Sequence, residues 1–206
     1  MVVSARFSLF AATPFAMLLF LAAFAMTHDT THGALRIPGR LNEVALSLSA
    51  AVMLMSGHAL RRTHLEHHKH PLADGDIEGE AARYPFHVAL LLSPRTTIRW
   101  TTESYRLAHP RERRAIVVET FATTAITVLL LLTGSPVCHL YVGAALTLRL
   151  FMGVWASNLT HRTPHWLVAC ARPFEKLGSV LAKSLVHHEL HHRRPAIPCA
   201  RLAAEC

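Results

Sequence analysis

The chain has 206 residues, 51% of them hydrophobic, and a mean hydropathy of +0.29. Its length suits one domain, predicted to span residues 1–206, and its apolarity is too high for an ordinary soluble domain. Basic residues outnumber acidic ones by 21 to 13, giving a net charge of +8. Because the basic residues stand between apolar blocks, they favour contact with anionic lipid headgroups and argue against a nucleic-acid partner.

Four apolar segments follow one another along the chain. Residues 7–27 carry no charge and are long enough for one membrane crossing, which exceeds the apolar core of a signal peptide. Residues 41–57 are shorter and include Asn42 and Glu43. Residues 115–133 and 137–157 predict two crossing helices joined by a short turn. The predicted fold class is therefore all-α, an integral membrane helical bundle with about three full spans plus interfacial helices.

The distribution of charge orients the last two spans. The turn at residues 134–136 is uncharged, whereas arginines flank the outer ends of this hairpin. The positive-inside rule places the turn outside and the flanks in the cytoplasm, together with the Arg-rich segment 83–114, which we predict to be interfacial. Glu119 and Arg149 are single charges inside the spans, and we expect them to face the helix bundle or to snorkel.

Histidine is the compositional outlier, with 16 residues, most of them clustered. Three clusters have a helical spacing that puts their imidazoles on one face. They are His28 and His32; His64, His67 and His68; and His188, His191 and His192. Imidazole is a ligand of iron, zinc, copper and nickel, so the repeated spacing predicts a metal site rather than surface decoration.

A shared metal site requires all clusters to lie on one side of the membrane. If residues 41–57 crossed the bilayer, the first two clusters would stand about 30 Å apart, whereas metal–imidazole bonds are only about 2 Å long. We therefore predict that residues 41–57 form a half-inserted or interfacial helix and that the clusters meet at the cytoplasmic face, where His161 follows the last span. The nine candidate ligands suit two metals rather than one zinc ion. They are His28, His32, His64, His67, His68, His161, His188, His191 and His192.

Further residues are candidates for orienting or supplementing these ligands. Asp29 adjoins the first cluster, and Asp74 and Asp76 follow the second, where carboxylates can accept from the free N–H of a metal-bound histidine. Asn158 shares a helix face with His161, and His165 lies one helical turn further on. The four cysteines contain no CxxC pair and are interpreted as free thiols. No catalytic residue is predicted beyond the metal ligands.

The chemistry implied by this set is oxidation. The C–H bonds of an acyl or polyene chain offer nothing for acid–base catalysis, so an oxidising metal has to act on them. A nearly all-imidazole pair of metals beside a bilayer suits oxygen activation at iron. The predicted cofactors are two non-haem iron ions with O2, and the predicted substrate is a membrane lipid.

The sequences His28-Asp-Thr-Thr-His32-Gly, His64-Leu-Glu-His67-His68 and His188-Glu-Leu-His191-His192 resemble the three histidine boxes of the membrane fatty acid desaturase superfamily. That superfamily includes acyl desaturases, carotenoid ketolases and related hydroxylases. The resemblance covers roughly residues 25–200 and implies a di-iron centre fed by an electron donor such as a ferredoxin or a cytochrome b5-like protein. It also implies one more ligand position after the last membrane helix. Asn158 and His161 resemble that position, with His165 as the substitute for His161.

Several functions are compatible with the sequence. The leading hypothesis is an O2-dependent oxidoreductase that desaturates a fatty acyl or lipid chain. A carotenoid ketolase or hydroxylase is the alternative within the superfamily, since ketolases share the His-Gly and His-Pro pairs that follow the first two boxes. A non-enzymatic membrane metal-binding protein would need polar residues along a transmembrane pathway, which residues 7–27 and 115–133 lack. Family members commonly have two membrane hairpins, so a shortened, inactive member is a further alternative.

Overall fold

The computed structural model describes residues 2–205, and side chains from Leu9 onward apart from that of residue 10. Within this range all regular structure is helical. The helices are α1 (Val2–Thr31), α2 (Gly39–Val52), α3 (Gly57–Lys69), α4 (Phe86–Leu107), α5 (Pro110–Leu132), α6 (Pro136–Leu150), α7 (Leu159–His161), α8 (His165–Lys176), α9 (Val180–Val186) and α10 (His188–Arg193). Short 3-10 helices span Gly79–Arg83 and Cys199–Ala204, and a π-helical segment, Gly153–Asn158, links α6 to α7.

Two helical stretches are long and apolar enough to cross a bilayer, Ala11–Thr31 of α1 and Pro110–Leu132 of α5. The stretch from α6 to His161 passes the same test as a pair bent by 51°, and α2 with α3 passes as a pair bent by 104°. Large apolar side chains of α5 face outward, Phe121 being 73% and Leu132 76% exposed, as expected against lipid. The predicted all-α membrane bundle is therefore confirmed, with the α2–α3 pair as its most sharply bent element.

The α2–α3 pair starts near the C-terminal end of α1 and brings the chain back to that same end. At 14 residues, α2 rises about 21 Å, short of the about 30 Å hydrocarbon core. Its first turn stays beside the end of α1, where Asn42 Nδ2 donates to Thr30 O at 2.8 Å. The chain then turns through Leu54, whose φ of +57° is rare for a residue with a side chain. The first two histidine clusters consequently share one end of the bundle.

Helix boundaries differ from the sequence interpretation in two places. The segment 83–114 is not one interfacial element, because α5 already begins at Pro110 and its first turns carry the arginines. His109 caps this helix, and its backbone N–H donates to the Glu112 carboxylate at 3.1 Å. Residues 137–157 do not form one straight span either. Helix α6 ends at Leu150, and the π-helical segment then bends the chain toward α7, which carries His161.

The two single charges of the spans both face the protein interior. Glu119 accepts hydrogen bonds from Ser47 Oγ at 2.5 Å, Ser56 Oγ at 2.6 Å and His58 Nδ1 at 2.8 Å. The Arg149 guanidinium donates at 2.6 Å to a carbonyl in the turn between α2 and α3. Both charges therefore face the helix bundle, where their hydrogen bonds stabilise it, and neither snorkels.

Candidate metal centre

All nine predicted histidines meet where α1, α3, α7 and α10 converge. The ligand nitrogens of one group lie within 4.8 Å of one another, and so do those of a second group. The first group is His28, His32, His64 and His191, and the second is His67, His161 and His192. His68 joins the first group through His191, with Nε2 atoms 3.0 Å apart, and His188 joins the second, 3.2 Å from both His161 and His192.

The spacing of these nitrogens matches neighbouring positions around a metal ion. The Nε2 atoms of His32 and His64 lie 2.9 Å apart, and those of His67 and His161 lie 3.1 Å apart. Two ligands at a right angle on an ion with bonds of about 2.1 Å stand about 3.0 Å apart. The residues therefore fit two ions, one held by five histidines and the other by four.

Two carboxylates fix the orientation of the α3 histidines. His67 Nδ1 donates to Asp76 Oδ2 at 2.7 Å, and His64 Nδ1 donates to Glu78 Oε1 at 2.6 Å. With the proton on Nδ1, each Nε2 keeps its lone pair for a metal. The expected role of Asp76 is found, whereas Glu78 was missed. The signal for it was a second carboxylate in the same loop, matching the second histidine on the same helix face.

Burial and hydrogen bonding act differently on these two acids. Burial raises the pKa of Glu78 to about 7, and the nearby Asp76 adds to this. Burial alone would also raise the pKa of Asp76, but the hydrogen bond from His67 and the N–H groups of Gly79 and Leu72 hold it below its usual value. Asp76 is therefore the charged member of the pair.

Several site histidines are held in the neutral form that metals require. Burial, helped by the neighbouring His28 imidazole, lowers the pKa of His32 to about 3. Burial, with the neighbouring imidazoles of the site, lowers the pKa of His188 to about 2 and that of His192 to about 3. Neutral imidazole keeps the lone pair that binds a metal ion, so these three histidines need not lose a proton to bind metal at pH 7.

Asp29 lies between the first cluster and the C-terminal segment. Its two carboxylate oxygens accept from the backbone N–H of Cys199 at 3.1 and 3.2 Å, and one lies 3.6 Å from His28 Nδ1. The Cys199 thiol lies 3.4 Å from the same imidazole nitrogen, and burial raises its pKa. Asp29 thus joins α1 to the segment after α10 and lies where it can orient His28. Cys138, Cys170 and Cys199 are free thiols, as expected.

Asp74 and His165 lie outside the histidine groups. The Asp74 side chain is fully exposed and pairs with Arg83 at 2.7 Å, so it contacts no imidazole. His165 opens α8 and is not among the grouped histidines. Of the two candidates that follow the last span, the structure brings His161 into the centre.

Asn158 is buried close to the centre but serves another purpose. Its Nδ2 donates to the carbonyl oxygens of Ala81 and Tyr84, both at 2.8 Å. These bonds anchor the 3-10 helix after Glu78 to the π-helical segment. Gly153 makes the contact possible, because a Cβ there would stand 3.2 Å from Ser93 Oγ and 3.4 Å from Ala81 Cβ. Asn158 therefore holds the loop that carries the two carboxylates.

An apolar cavity of about 160 Å³ adjoins the histidines. His28, His64 and His188 are among its lining residues, together with Phe24 and Trp155. A more open groove between α1 and α9 shares Ala25 and Leu181 with this cavity. A lipid chain can therefore approach the centre from the side while remaining in apolar surroundings.

The fold and the site define a helical membrane protein whose grouped histidines can hold metal ions. The chain matches the fatty acid desaturase family over residues 6–205 and belongs to that family. No curated protein and no solved structure matches it. Family membership makes the protein a desaturase-like oxidoreductase and agrees with the three histidine boxes identified in its sequence.

Proposed function

We propose that this protein is an O2-dependent oxidoreductase that desaturates a fatty acyl chain at a non-haem di-iron centre. One observation carries the proposal. Two groups of converging imidazoles border a mostly apolar cavity of about 160 Å³ that neighbours an open groove between α1 and α9. A metal centre for a water-soluble substrate would need a wall with a larger share of polar recognition groups.

Two sets of histidines would hold the two iron ions. His28, His32, His64, His68 and His191 would hold one ion, and His67, His161, His188 and His192 the other. Bound iron would supply the activation of O2 that unactivated C–H bonds require. In the balanced reaction, –CH2–CH2–, O2, two electrons and two protons give –CH=CH– and two molecules of water.

The protein itself positions the substrate and the ligands. Phe24, Trp155 and Leu181 form apolar walls that align a chain beside His28 and exclude water from it. Asp76 and Glu78 accept hydrogen bonds from Nδ1 of His67 and His64. The Nε2 atoms of these two rings therefore need no rearrangement before they bind a metal. The same walls would accept a polyene, so product analysis has to separate desaturation from ketolation or hydroxylation.

The proposal includes a cytoplasmic centre that takes electrons from an acidic carrier, such as a ferredoxin or a cytochrome b5-like protein. Four exposed cations stand next to site histidines in the sequence: Lys69, Arg162, Arg193 and Arg194. Three of these cations pair with Glu66, Glu189 and Glu205. The positive-inside rule favours the cytoplasm for this end of the bundle, and the net charge of +8 would steer an acidic donor to the protein.

The function is tested on purified protein and on cells that express it. We expect about two iron atoms per chain, and new double bonds in the extracted lipids by mass spectrometry, absent with His67→Ala. One zinc ion per chain, or none at all, would overturn the di-iron assignment. New ketones or alcohols in carotenoid extracts, with unchanged acyl chains, would establish the alternative activity.

The orientation is tested by labelling single cysteines in a variant without native thiols. Arg36→Cys and Asp74→Cys sit at exposed positions near the first two clusters and should react with an impermeant reagent from the cytoplasmic side. Ser135→Cys should react only from the other side. Reaction of the first two from opposite sides would exclude a shared centre.

A further inference from the structure

A second cavity, of about 90 Å³, lies among α3, α4, α5 and the end of α6 and touches none of the grouped histidines. Seven of its fifteen lining residues are threonines, and Ser56 and Arg149 add to the polar wall. Its volume is well above the roughly 15 Å³ that one water molecule needs. Thr101 and Thr124 are exposed, so the cavity opens at the surface between α4 and α5. A polar pocket in membrane-spanning helices calls for a ligand of matching chemistry.

Arg149 brings a charge to this pocket that the protein does not neutralise. Of its five N–H donors, one hydrogen bond is formed, from Nη1 to Leu54 O at 2.6 Å. Across residues 2–205 it takes part in no ion pair, and the Glu119 carboxylate already accepts from Ser47, Ser56 and His58. A cation without a counter-charge between membrane helices is costly, so an anion bound here would be strongly favoured.

The threonines around Arg149 offer polar capacity to such a ligand. Thr120, Thr124 and Thr127 each donate their hydroxyl at 2.7 Å to the carbonyl four residues earlier in α5. Their oxygens keep lone pairs for water or a ligand hydroxyl, and each hydroxyl can rotate to donate instead. The pocket can therefore hold a hydrated anionic group.

The pocket is separated from the metal centre by two side chains. Leu60 and Trp100 line it, and they also line a cavity of about 20 Å³ that reaches His28 and His64. Both are buried, at 8% and 6% exposure. An apolar chain whose head lay at Arg149 would have its path toward the histidines past these two residues.

We propose that the Arg149 pocket binds the anionic oxygen group, carboxylate or phosphate, of a membrane amphiphile. Two sources supply this chemistry, the free carboxylate of a long-chain fatty acid and the phosphate of an anionic phospholipid. The binding site stands on its own residues, and only its use in holding substrate rests on the proposed function.

The test uses wild-type protein in nanodiscs of neutral phosphatidylcholine and follows tryptophan fluorescence, since Trp100 lines the pocket. The quenchers are dibromostearic acid, its methyl ester and a dibromo-acyl phosphatidylglycerol, with Trp100→Phe identifying the responding residue. We expect at least one anionic quencher to act at a tenfold or more lower concentration than the neutral ester. Preference for the acid alone assigns a fatty acid, and preference for phosphatidylglycerol alone assigns a phospholipid.

Three variants connect the preference to the guanidinium. Arg149→Met should abolish it and Arg149→Lys should retain most of it, which guards against a folding defect from the lost bond to Leu54. Arg95→Met removes an exposed arginine from α4 outside the pocket and should leave the preference unchanged.

Equal quenching by all three probes in the wild type, or a preference that survives Arg149→Met, would overturn the proposal. The assay needs no iron and no turnover. A protein that keeps the preference without oxidising lipids would therefore refute the proposed enzyme activity and not this site.

Discussion

His67 in the metal centre and His58 in the part-buried network that joins α2, α3 and α5 are both held by carboxylates, but in different ways. His58 has a carboxylate on each ring nitrogen, Glu119 at 2.8 Å and Glu43 at 3.0 Å. His67 has Asp76 on Nδ1, and its Nε2 faces another imidazole at 3.1 Å. One carboxylate therefore prepares a histidine as a metal ligand, whereas two turn it into a cross-link between helices.

The network around Glu119 and the metal centre also differ in how fully their polar atoms are hydrogen-bonded. In the network, every carboxylate oxygen of Glu119 meets a donor from the protein. In the metal centre, imidazole nitrogens face one another instead, with the Nε2 atoms of His68 and His191 3.0 Å apart. Satisfied polar groups stabilise a fold, and lone pairs left facing one another are a demand for a cation.

The largest effect should come from removing a converging imidazole. We expect His67→Ala or His191→Ala to lower activity by more than the roughly 100-fold that loss of an orienting partner costs. Iron content, measured by elemental analysis, should fall while membrane insertion and helicity persist. His87→Ala, at an exposed position on α4, is the matched control and should change neither. If His87→Ala lost as much activity and iron as the two site variants, the metal centre would not be where it is placed.

The carboxylates behind the imidazoles should matter next. Asp76→Asn and Glu78→Gln should weaken metal affinity about 10–100-fold, because a neutral amide is a weaker acceptor than a carboxylate and can present its NH2 group to the ring instead. Metal titration of purified protein gives this number. Asp74→Asn removes a carboxylate two residues away that pairs only with Arg83, and it should have no effect on affinity. Weaker metal binding by Asp74→Asn would mean that Asp76 and Glu78 are not the acids that orient the imidazoles.

Breaking the network should affect stability and leave metal binding intact. Glu119→Gln replaces an acceptor of four hydrogen bonds and should lower the free energy of unfolding by roughly 3 kcal/mol. Denaturation followed by fluorescence measures it, with Glu103→Gln as a control expected to cost less than about 0.5 kcal/mol, because its partner Arg106 is exposed. Metal affinity that falls along with stability would mean that the two regions are not separable.

The smallest effect should come from Asn158. Asn158→Ala removes two hydrogen bonds to carbonyl groups and should cost about 1–2 kcal/mol of stability, with metal affinity close to that of the wild type. Parallel metal titrations of Asn158→Ala and His161→Ala check this. An equal loss in both would make Asn158 a ligand after all.

Local spacing in the sequence was enough to identify eight of the nine histidines, and His161 was added from its position after the last span and from the family resemblance. Ligands three and four residues apart must share a helix face, and this holds whatever the rest of the chain does. The apolar blocks likewise determined the helical membrane bundle, because a spanning segment has to satisfy its backbone internally. The requirement that His32 and His64 share a centre also predicted that residues 41–57 would not separate them, and their Nε2 atoms lie 2.9 Å apart.

Only the tertiary structure decided which polar residue partners which. The loop after α3 has no periodicity, so its sequence could not say that Glu78 rather than Asp74 would reach an imidazole. Asn158 has the spacing of a ligand but lies against carbonyl groups, because the π-helical turn directs it toward the 3-10 helix. The open charge of Arg149 is also a tertiary fact. It depends on which residues three other helices bring to one pocket, and sequence spacing carries no information about contacts between distant segments.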